Sequence, residues 1–396
     1  MSTPPSHDSV HKGFAFGLAA LFLAALWLPT LDSIFQWDYA PTPNENRAPA
    51  KFPAITLNLA GLRALPSGLE AYFNDHFGFR KRLIRWERKW KRSLFRDISH
   101  AEVLVGRDGW LYFAGSRMID NYRATRPFTP AELADWQALL EQRRDWLAQR
   151  GIKYLFVVPP DKQSVYPEHL PEWLTQIGPQ ARLDQFFAHM RAHSTVPVLD
   201  LRPILRAAKS TFPTYQNTDT HWNYYGAFVA YQEVIRTLAA QLPGLEPLPA
   251  KAFDIIVQRR RGSDLALMLG QEPYFPETAW VEMTLRPPLQ PLVIQTDHTN
   301  PPRLEAPAHT ENPSCTRRLL MFRDSYAIYW LPYFGHNFRH VTYIWDYWDR
   351  SLIEREQPDV VVDELLERHL YDTNPRQLRQ RDEIPSGIKR VLHLRK

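Results

Sequence analysis

The chain has 396 residues, enough for one large domain with appendages or for two ordinary domains. Hydrophobic residues make up 44% and aromatic residues 13%, so a substantial core can form. The formal net charge is +5, but no zinc-finger or RNA-recognition signature accompanies it, and we expect no nucleic-acid partner. A surface facing anionic lipid or an anionic polymer fits this charge better. The single Cys315 excludes an internal disulfide and a cysteine-based metal site.

The first distinctive segment is a run without charged residues, 13–31. Its length is close to the roughly 20 residues that cross a bilayer. A cleaved signal peptide is the alternative, but its apolar region is usually shorter, and no small-x-small cleavage site follows the run. Lys12 precedes the run and Asp32 follows it, a slight positive-inside bias. The pattern predicts a cytoplasmic tail (1–12), an uncleaved transmembrane signal-anchor (13–34) in the inner membrane, and a periplasmic remainder.

The next segment, 35–95, combines a tether with a basic helical stretch. Residues 35–53 are rich in proline and polar side chains, which is typical of a linker rather than of a folded unit. Residues 66–96 have an amphipathic but strongly basic helical pattern. Two β-rich runs flank a glycine-bounded turn within 102–113 and predict a hairpin.

Strands and helices then alternate, which predicts an α/β domain over 96–396 with a three-layer, mostly parallel sheet. Thr129, Pro130 and Glu132 form a helix-start signal with a capping box. Residues 243–317 are less regular and dense in proline, and we expect hairpins or loops there. The predicted strands are 152–158, 196–199, 318–322, 340–345 and 359–363; the predicted helices are 130–150, 181–192, 202–209, one following His221 and one beginning at Tyr326.

Two short motifs carry candidate chemistry. Asp219 and His221 stand two residues apart immediately before a predicted helix, and Ser325 follows an apolar strand. A serine hydroxyl needs a base within hydrogen-bond reach, and that base needs its tautomer fixed. The motifs therefore predict Ser325 as nucleophile, His221 as base and Asp219 as orienting carboxylate, with the backbone N–H of Ser325 helping to stabilise an oxyanion. Each motif alone is also explained by helix capping, since Asp and Ser are common N-cap residues.

Together these motifs resemble the alginate O-acetyltransferase family of AlgJ- and AlgX-like proteins, whose fold is related to the SGNH hydrolases. In that family the Asp-x-His pair precedes the serine, as it does here. One departure is Arg323, where SGNH enzymes usually have glycine. The matching features run in the same order over roughly 45–370: ENR at 45–47, GRDGWLY at 106–112, VPPDK at 158–162, VYPE at 165–168, DTHW at 219–222 and DSY at 324–326.

The resemblance implies an O-acetyltransferase that moves acetyl groups onto hydroxyls of an exopolysaccharide, alginate or alginate-like, in the periplasm. It also implies a membrane-bound O-acyltransferase as the donor protein, and the anchored AlgJ-like form as the closer match. Two alternatives stay open: a polysaccharide acetyl esterase with the same triad, and a non-catalytic scaffold of a polysaccharide secretion complex. The acceptor polymer, the acetylated hydroxyl and the oligomeric state are not determined by the sequence.

Several other side chains are candidates for sugar binding. Aromatic rings can stack on sugars, and an arginine can contact a carboxylated sugar, although packing in the core explains such rings equally well. His336 and His340 lack metal-like partners, so we expect neither a metal nor a cofactor. Lys162 belongs to one of the motifs, but its sequence context assigns it no role. The candidate substrate-binding residues are Arg323, Tyr326, Trp222, Tyr343 and Trp345.

Overall fold

The computed structural model describes residues 7–35, 37, 50–53, 55, 59–80, 82–83, 86, 102–287, 289, 294–296, 307–346 and 348–383. The chain divides into two compact units. The first comprises 1–100 with 267–271, and the second comprises 101–266 with 272–396. The ENR motif at 45–47, most of the predicted tether 35–53 and most of 81–96 lie outside the described residues.

The described part of the first unit contains two helices, α1 (His7–Phe35) and α2 (Leu59–His76), and residues 267–271, which include the end of a helix that begins in the second unit. The Asp32 carboxylate in α1 accepts a hydrogen bond from the backbone N–H of Phe79 at 2.8 Å, just beyond α2. The predicted helix 66–96 overlaps α2 only over 66–76: α2 begins earlier than expected, contains Pro66 in its interior and ends before the basic part of the predicted helix.

The predicted transmembrane segment 13–34 falls within α1 and is helical. Within the part of the chain that the structure describes, however, no helix meets the length and apolarity required to span a membrane. The structure therefore does not support the transmembrane part of the predicted architecture.

The second unit alternates strands and helices, as predicted. The elements are β1 (Val103–Val105), β2 (Leu111–Phe113), α3 (Met118–Tyr122), α4 (Pro130–Ala148), β3 (Lys153–Val158), α5 (Lys162–Val165), α6 (Arg182–His193), β4 (Val198–Asp200), α7 (Arg202–Ala208), α8 (Tyr224–Ala239), β5 (Phe253–Arg260), α9 (Asp264–Leu269), β6 (Glu277–Leu285), β7 (Ile294–Thr296), β8 (Ala308–Glu311), β9 (Arg318–Phe322), β10 (His340–Ile344), α10 (Arg350–Glu356), β11 (Val360–Glu364), α11 (Glu367–Asp372) and α12 (Pro375–Glu383).

A seven-stranded sheet of order β4-β3-β11-β9-β10-β8-β7 organises this unit. The five strands from β4 to β10 are parallel, whereas β8 and β7 pair antiparallel at one edge. The proline-rich region supplies these two edge strands and the separate hairpin β5–β6. A mostly parallel sheet is thus present, and its antiparallel edge comes from the region whose sequence pattern was irregular.

Both faces of the sheet are covered, because alternate residues of its central strands enter two different cores. Met321 of β9 packs with α8 on one face, and Phe322 packs with α4 and α6 on the other. This arrangement explains why the parallel strands are continuous apolar runs rather than alternating ones. The Thr129 capping box fixes the start of α4, with the Thr129 hydroxyl accepting from the Glu132 N–H at 3.2 Å.

Candidate active site

Asp219 and His221 lie in the loop that leads into α8. Asn223 caps this helix, since its side-chain oxygen accepts the N–H of Gly226 at 2.9 Å. The loop therefore ends at Asn223, and His221 lies two residues before this cap. The pair is held at the carboxyl-terminal end of the sheet, where ligands of open α/β folds bind.

The two side chains form a hydrogen-bonded dyad. His221 Nδ1 lies 2.7 Å from Asp219 Oδ1, and the His221 backbone N–H donates to the same oxygen at 3.0 Å. Burial opposes the charged form of both groups, but their mutual hydrogen bond and attraction outweigh it. The pKa of Asp219 is lowered to about 2, with a further contribution from the Ser263 hydroxyl, and the pKa of His221 is raised. Because Asp219 binds Nδ1, the other ring nitrogen, Nε2, is left free to act as a base.

His221 Nε2 is buried and has no hydrogen-bond partner among the described residues, so it makes no hydrogen bond to Ser325. Tyr326, the residue after Ser325, does contact the segment that carries the dyad. The Tyr326 hydroxyl donates to the Thr220 carbonyl at 2.7 Å, and its ring centroid lies 5.0 Å from that of His221. Catalytic hydrogen bonds are often long in ligand-free enzymes, so this geometry is compatible with a serine that approaches when substrate binds.

Ser325 lies in the turn between β9 and a 3₁₀ helix, Tyr326–Trp330. The predicted helix beginning at Tyr326 is a five-residue 3₁₀ helix, too short to contribute a substantial helix dipole at the Ser325 N–H. None of residues 323–325 has a positive φ, so the arginine that replaces the usual glycine causes no backbone strain. Asp324 secures the turn by accepting the Tyr326 and Leu366 N–H groups, at 2.9 and 3.2 Å.

The structure corrects most of the predicted sugar-binding rings. Trp222, Tyr326 and Tyr343 are each 0% exposed, so they cannot stack on a ligand. These rings are buried because α8 and the 3₁₀ helix pack against the sheet. The periodicity of the sequence did not distinguish such packing from a role in ligand binding. Arg323 is also buried, and its guanidinium lies 5.0 Å from the ring centroid of the half-buried Trp345.

A second ring beside the dyad, that of Tyr329, is not among the predicted substrate-binding residues. Tyr329 is half-buried, and its ring centroid lies 5.8 Å from that of His221. Its hydroxyl accepts a hydrogen bond from Gln216 Nε2 at 2.9 Å, which leaves the phenolic proton available to another acceptor.

A second group of side chains at the site comes from the region around α9. The Ser263 hydroxyl donates to Asp219 Oδ2, and Asp264 Oδ1 accepts the Thr220 N–H at 2.8 Å. Burial, followed by the charge of Asp219, raises the pKa of Asp264 to about 6. Single ligand atoms of Asp219, His221 and Asp264 lie within 4.8 Å of one another, a spacing that could hold a cation, but both carboxylates already accept hydrogen bonds from protein donors. Nothing in the sequence near Ser263 indicated this contact.

The structure defines the class of this domain as an α/β domain with a mostly parallel sheet and a hydrogen-bonded Asp–His dyad. Residues 103–290 match the family model described as the SGNH hydrolase-like domain of the acetyltransferase AlgX. This segment contains Asp219 and His221 but ends before Ser325.

Curated relatives extend the comparison along the chain and confirm the resemblance drawn from the motifs. The chain is 28% identical over 254 residues to a "Probable alginate O-acetylase AlgJ" of Pseudomonas aeruginosa, covering 58% of this chain and 61% of the relative. It is 30% identical over 203 residues to the protein of the same description from Pseudomonas fluorescens, covering 50% and 46%. The chain thus spans about half to three-fifths of the length of these relatives.

Among solved structures, the O-acetyltransferase domain of Pseudomonas putida AlgJ is similar with a TM-score of 0.47 and 21% identity, covering 70% of this chain and 99% of that domain. Bacillus cereus PatB1 is similar with a TM-score of 0.49 and 14% identity, covering 68% and 96%.

Proposed function

We propose that the protein transfers acetyl groups to hydroxyls of an exopolysaccharide through Ser325, His221 and Asp219. The observation that carries this proposal is the Asp219–His221 dyad, with a buried carboxylate and an unpartnered Nε2, beside Tyr326 in the turn after Ser325. An imidazole with one nitrogen fixed by a carboxylate and the other left free is the arrangement that acyl transfer through a serine requires. The names of the relatives support the acetyl group and the polysaccharide.

The chemistry has two balanced steps. His221 Nε2 takes the Ser325 proton while Oγ attacks the acetyl carbonyl; collapse of the tetrahedral intermediate breaks the bond to the leaving group, which takes that proton. A sugar hydroxyl then loses its proton to His221 and attacks the acetyl-serine, and the proton returns to Ser325 Oγ as the ester bond breaks. Asp219 stays ionised and stabilises the imidazolium in both steps.

The donor and the location belong to the same proposal. Acetyl groups activated in the cytoplasm would reach a periplasmic site through a membrane-bound O-acyltransferase, with this chain held at the inner membrane through its N-terminal segment. The absence of charged residues from 13–31 and the exposed apolar side chains of α1 support contact of this segment with lipid. Alginate or an alginate-like polymer is the acceptor that the relatives' names favour.

The test is the trapping of acetyl on Ser325. With an activated acetyl phenol as donor, the peptide containing Ser325 should gain the mass of one acetyl group, and an added oligosaccharide should discharge it as an O-acetylated sugar. Ser325→Ala and His221→Ala should each abolish transfer. Asp219→Ala should lower it by up to about 10⁴-fold, the loss seen when such an aspartate is replaced. These losses should not add, because the three groups act as one unit.

Two outcomes would replace the proposal. If water discharges the acetyl-serine as fast as sugar does and no acetylated sugar forms, the protein is an acetyl esterase. If no acetyl-serine forms and a strain carrying Ser325→Ala still acetylates its polymer, the protein is a scaffold.

A further inference from the structure

Lys162 is a buried cation whose ammonium group binds the loop that carries Asp219. The side chain is 2% exposed, and Nζ donates to three backbone carbonyls of this loop. The distances are 3.0 Å to Gln216, 3.2 Å to Asn217 and 2.6 Å to Asp219. All three hydrogens of the ammonium are therefore used on one four-residue stretch of backbone, 216–219. The rings of Trp110 and Tyr112 lie beside it, with centroids 5.6 and 5.3 Å from Nζ.

Glu277, at the start of β6, holds the opposite side of the same loop. Its carboxylate is 0% exposed and accepts the N–H groups of Asn217 at 3.1 Å and Thr218 at 2.9 Å. It also accepts the Thr218 hydroxyl at 2.8 Å. The loop is thus held through its carbonyls by a buried cation and through its N–H groups by a buried anion. We call Lys162 and Glu277 the loop clamp.

Such a clamp is costly, which argues against a role in packing alone. Burial lowers the pKa of Lys162 to about 8, against the opposing charges of Glu277, Asp264 and Asp219. An apolar residue of similar size would avoid this desolvation cost. An ammonium group offsets this desolvation cost by fixing the directions of three carbonyl groups, which an apolar side chain cannot do.

The clamped loop sets the positions of two groups at the site. Its Asp219 end orients the His221 ring through the 2.7 Å hydrogen bond. At its other end, the Gln216 side chain holds the Tyr329 hydroxyl beside the same ring. A shift of the loop would therefore move the carboxylate and the tyrosine together.

We propose that Lys162, together with Glu277, is a positioning residue for acetyl transfer, acting through the 216–220 loop on the Asp219–His221 dyad. This inference rests on the proposed function for its kinetic consequence, but its structural consequence is independent of it. Misplacement of a reacting group by about 1 Å costs on the order of 10²-fold in rate. Replacement of Lys162 should lower kcat to that extent and leave the KM for the acetyl donor nearly unchanged.

The experiment compares Lys162→Met with wild type and with Arg143→Met in the full chain. Arg143 is an equally buried cation that contacts Asp363 and Asp382 and makes no contact with the loop. The first measurement is kcat and KM with the acetyl phenol donor. The second is the far-downfield proton NMR resonance of the His221 Nδ1–H bonded to Asp219. Lys162→Met should lower kcat and shift or broaden this resonance, whereas Arg143→Met should lower stability and leave the resonance in place.

A third variant separates positioning from folding. Lys162→Ala leaves a cavity at the former side chain, and added ethylammonium should restore part of the activity and the resonance in a saturable manner. Should neither Lys162 variant fold, Glu277→Gln is tested in the same way. An unchanged resonance and kcat in a folded clamp variant would overturn the proposal. If wild type shows the resonance but transfers no acetyl, the proposed function fails while the clamp is still tested.

Discussion

At the scale of single residues, the site depends on the protonation state of one imidazole. His221 acts as a base only when it is neutral, so activity rises as pH increases through its pKa. Burial favours the neutral form, but the hydrogen bond and charge of Asp219, followed by the charge of Asp264, raise the pKa above the ordinary 6.5. Asp219 therefore orients His221 and also shifts the pH at which His221 becomes active as a base to higher values.

This balance predicts the acidic limb of the pH profile. Transfer from the acetyl phenol donor should reach half its maximum above pH 6.5, and Asp219→Asn should move that midpoint to lower pH while reducing the maximum rate. Asp264→Asn should move it in the same direction by less, because the charge of Asp264 is a smaller cause of the shift. The profile of kcat/KM reports this pKa for the free enzyme. A midpoint that stays in place in Asp219→Asn would show that another group limits the reaction.

At the scale of elements, the position of α8 is fixed by its close packing against Thr214, in the segment that precedes the dyad. Gly226 lies in the first turn of α8, and a Cβ there would stand 2.0 Å from the Thr214 carbonyl oxygen. The Asn223 N–H donates to the same carbonyl at 3.1 Å. Thr214 and Asn223, which precede and follow the dyad, are therefore hydrogen-bonded to each other. The first turn of α8 can approach the Thr214 carbonyl because residue 226 has no side chain.

Gly226→Ala should consequently displace the start of α8. We expect a loss of about 1–3 kcal/mol in the free energy of unfolding, typical of an overpacked site, together with reduced kcat. Urea unfolding and donor kinetics measure the two effects. Gly17→Ala is the matched control, because Gly17 is within a helix and a Cβ there meets nothing within 4 Å. That change should be neutral or stabilising, since alanine favours helix over glycine. Equal behaviour of the two variants would contradict the packing argument.

At the scale of the whole molecule, a buried ion network joins the end of the second unit to its sheet. Arg143 of α4 contacts Asp363 of β11 and Asp382 of α12, each at 2.8 Å. Removing the arginine would leave two carboxylates buried without their cation, a loss of about 3–5 kcal/mol. This network lies on the face of the sheet away from α8, which is why its disruption should change stability and not the dyad.

The exposed surface of the first unit predicts that the protein associates with membranes. Large apolar side chains of α1 are exposed, Phe16 to 78% and Trp27 to 61%. Contact with lipid would remove this surface from water, which favours association. The full chain should therefore sediment with membranes, and a variant lacking residues 1–35 should appear in the supernatant. An immunoblot of the fractions measures both, and a full chain found only in the supernatant would count against the anchor.

The local features of this protein follow from its sequence alone. The capping box at Thr129, the buried strands and the start of α8 depend on residues within one turn or one strand of each other. The Asp219–His221 contact belongs to the same category, because a separation of two residues lets the carboxylate reach the ring without help from other elements. These features were predictable since periodicity and capping are short-range properties.

Only the tertiary structure decided which side chains face the site. Ser263, Asp264 and Glu277 reach the loop from 40 to 60 residues further along the chain, in a region without periodicity. The same is true of Lys162, whose role depends on carbonyls that follow it by more than 50 residues. Trp222 and Tyr326 are buried because two elements pack against each other, a fact that no single segment contains. Long-range packing sets these positions, and a sequence pattern read locally carries no information about it.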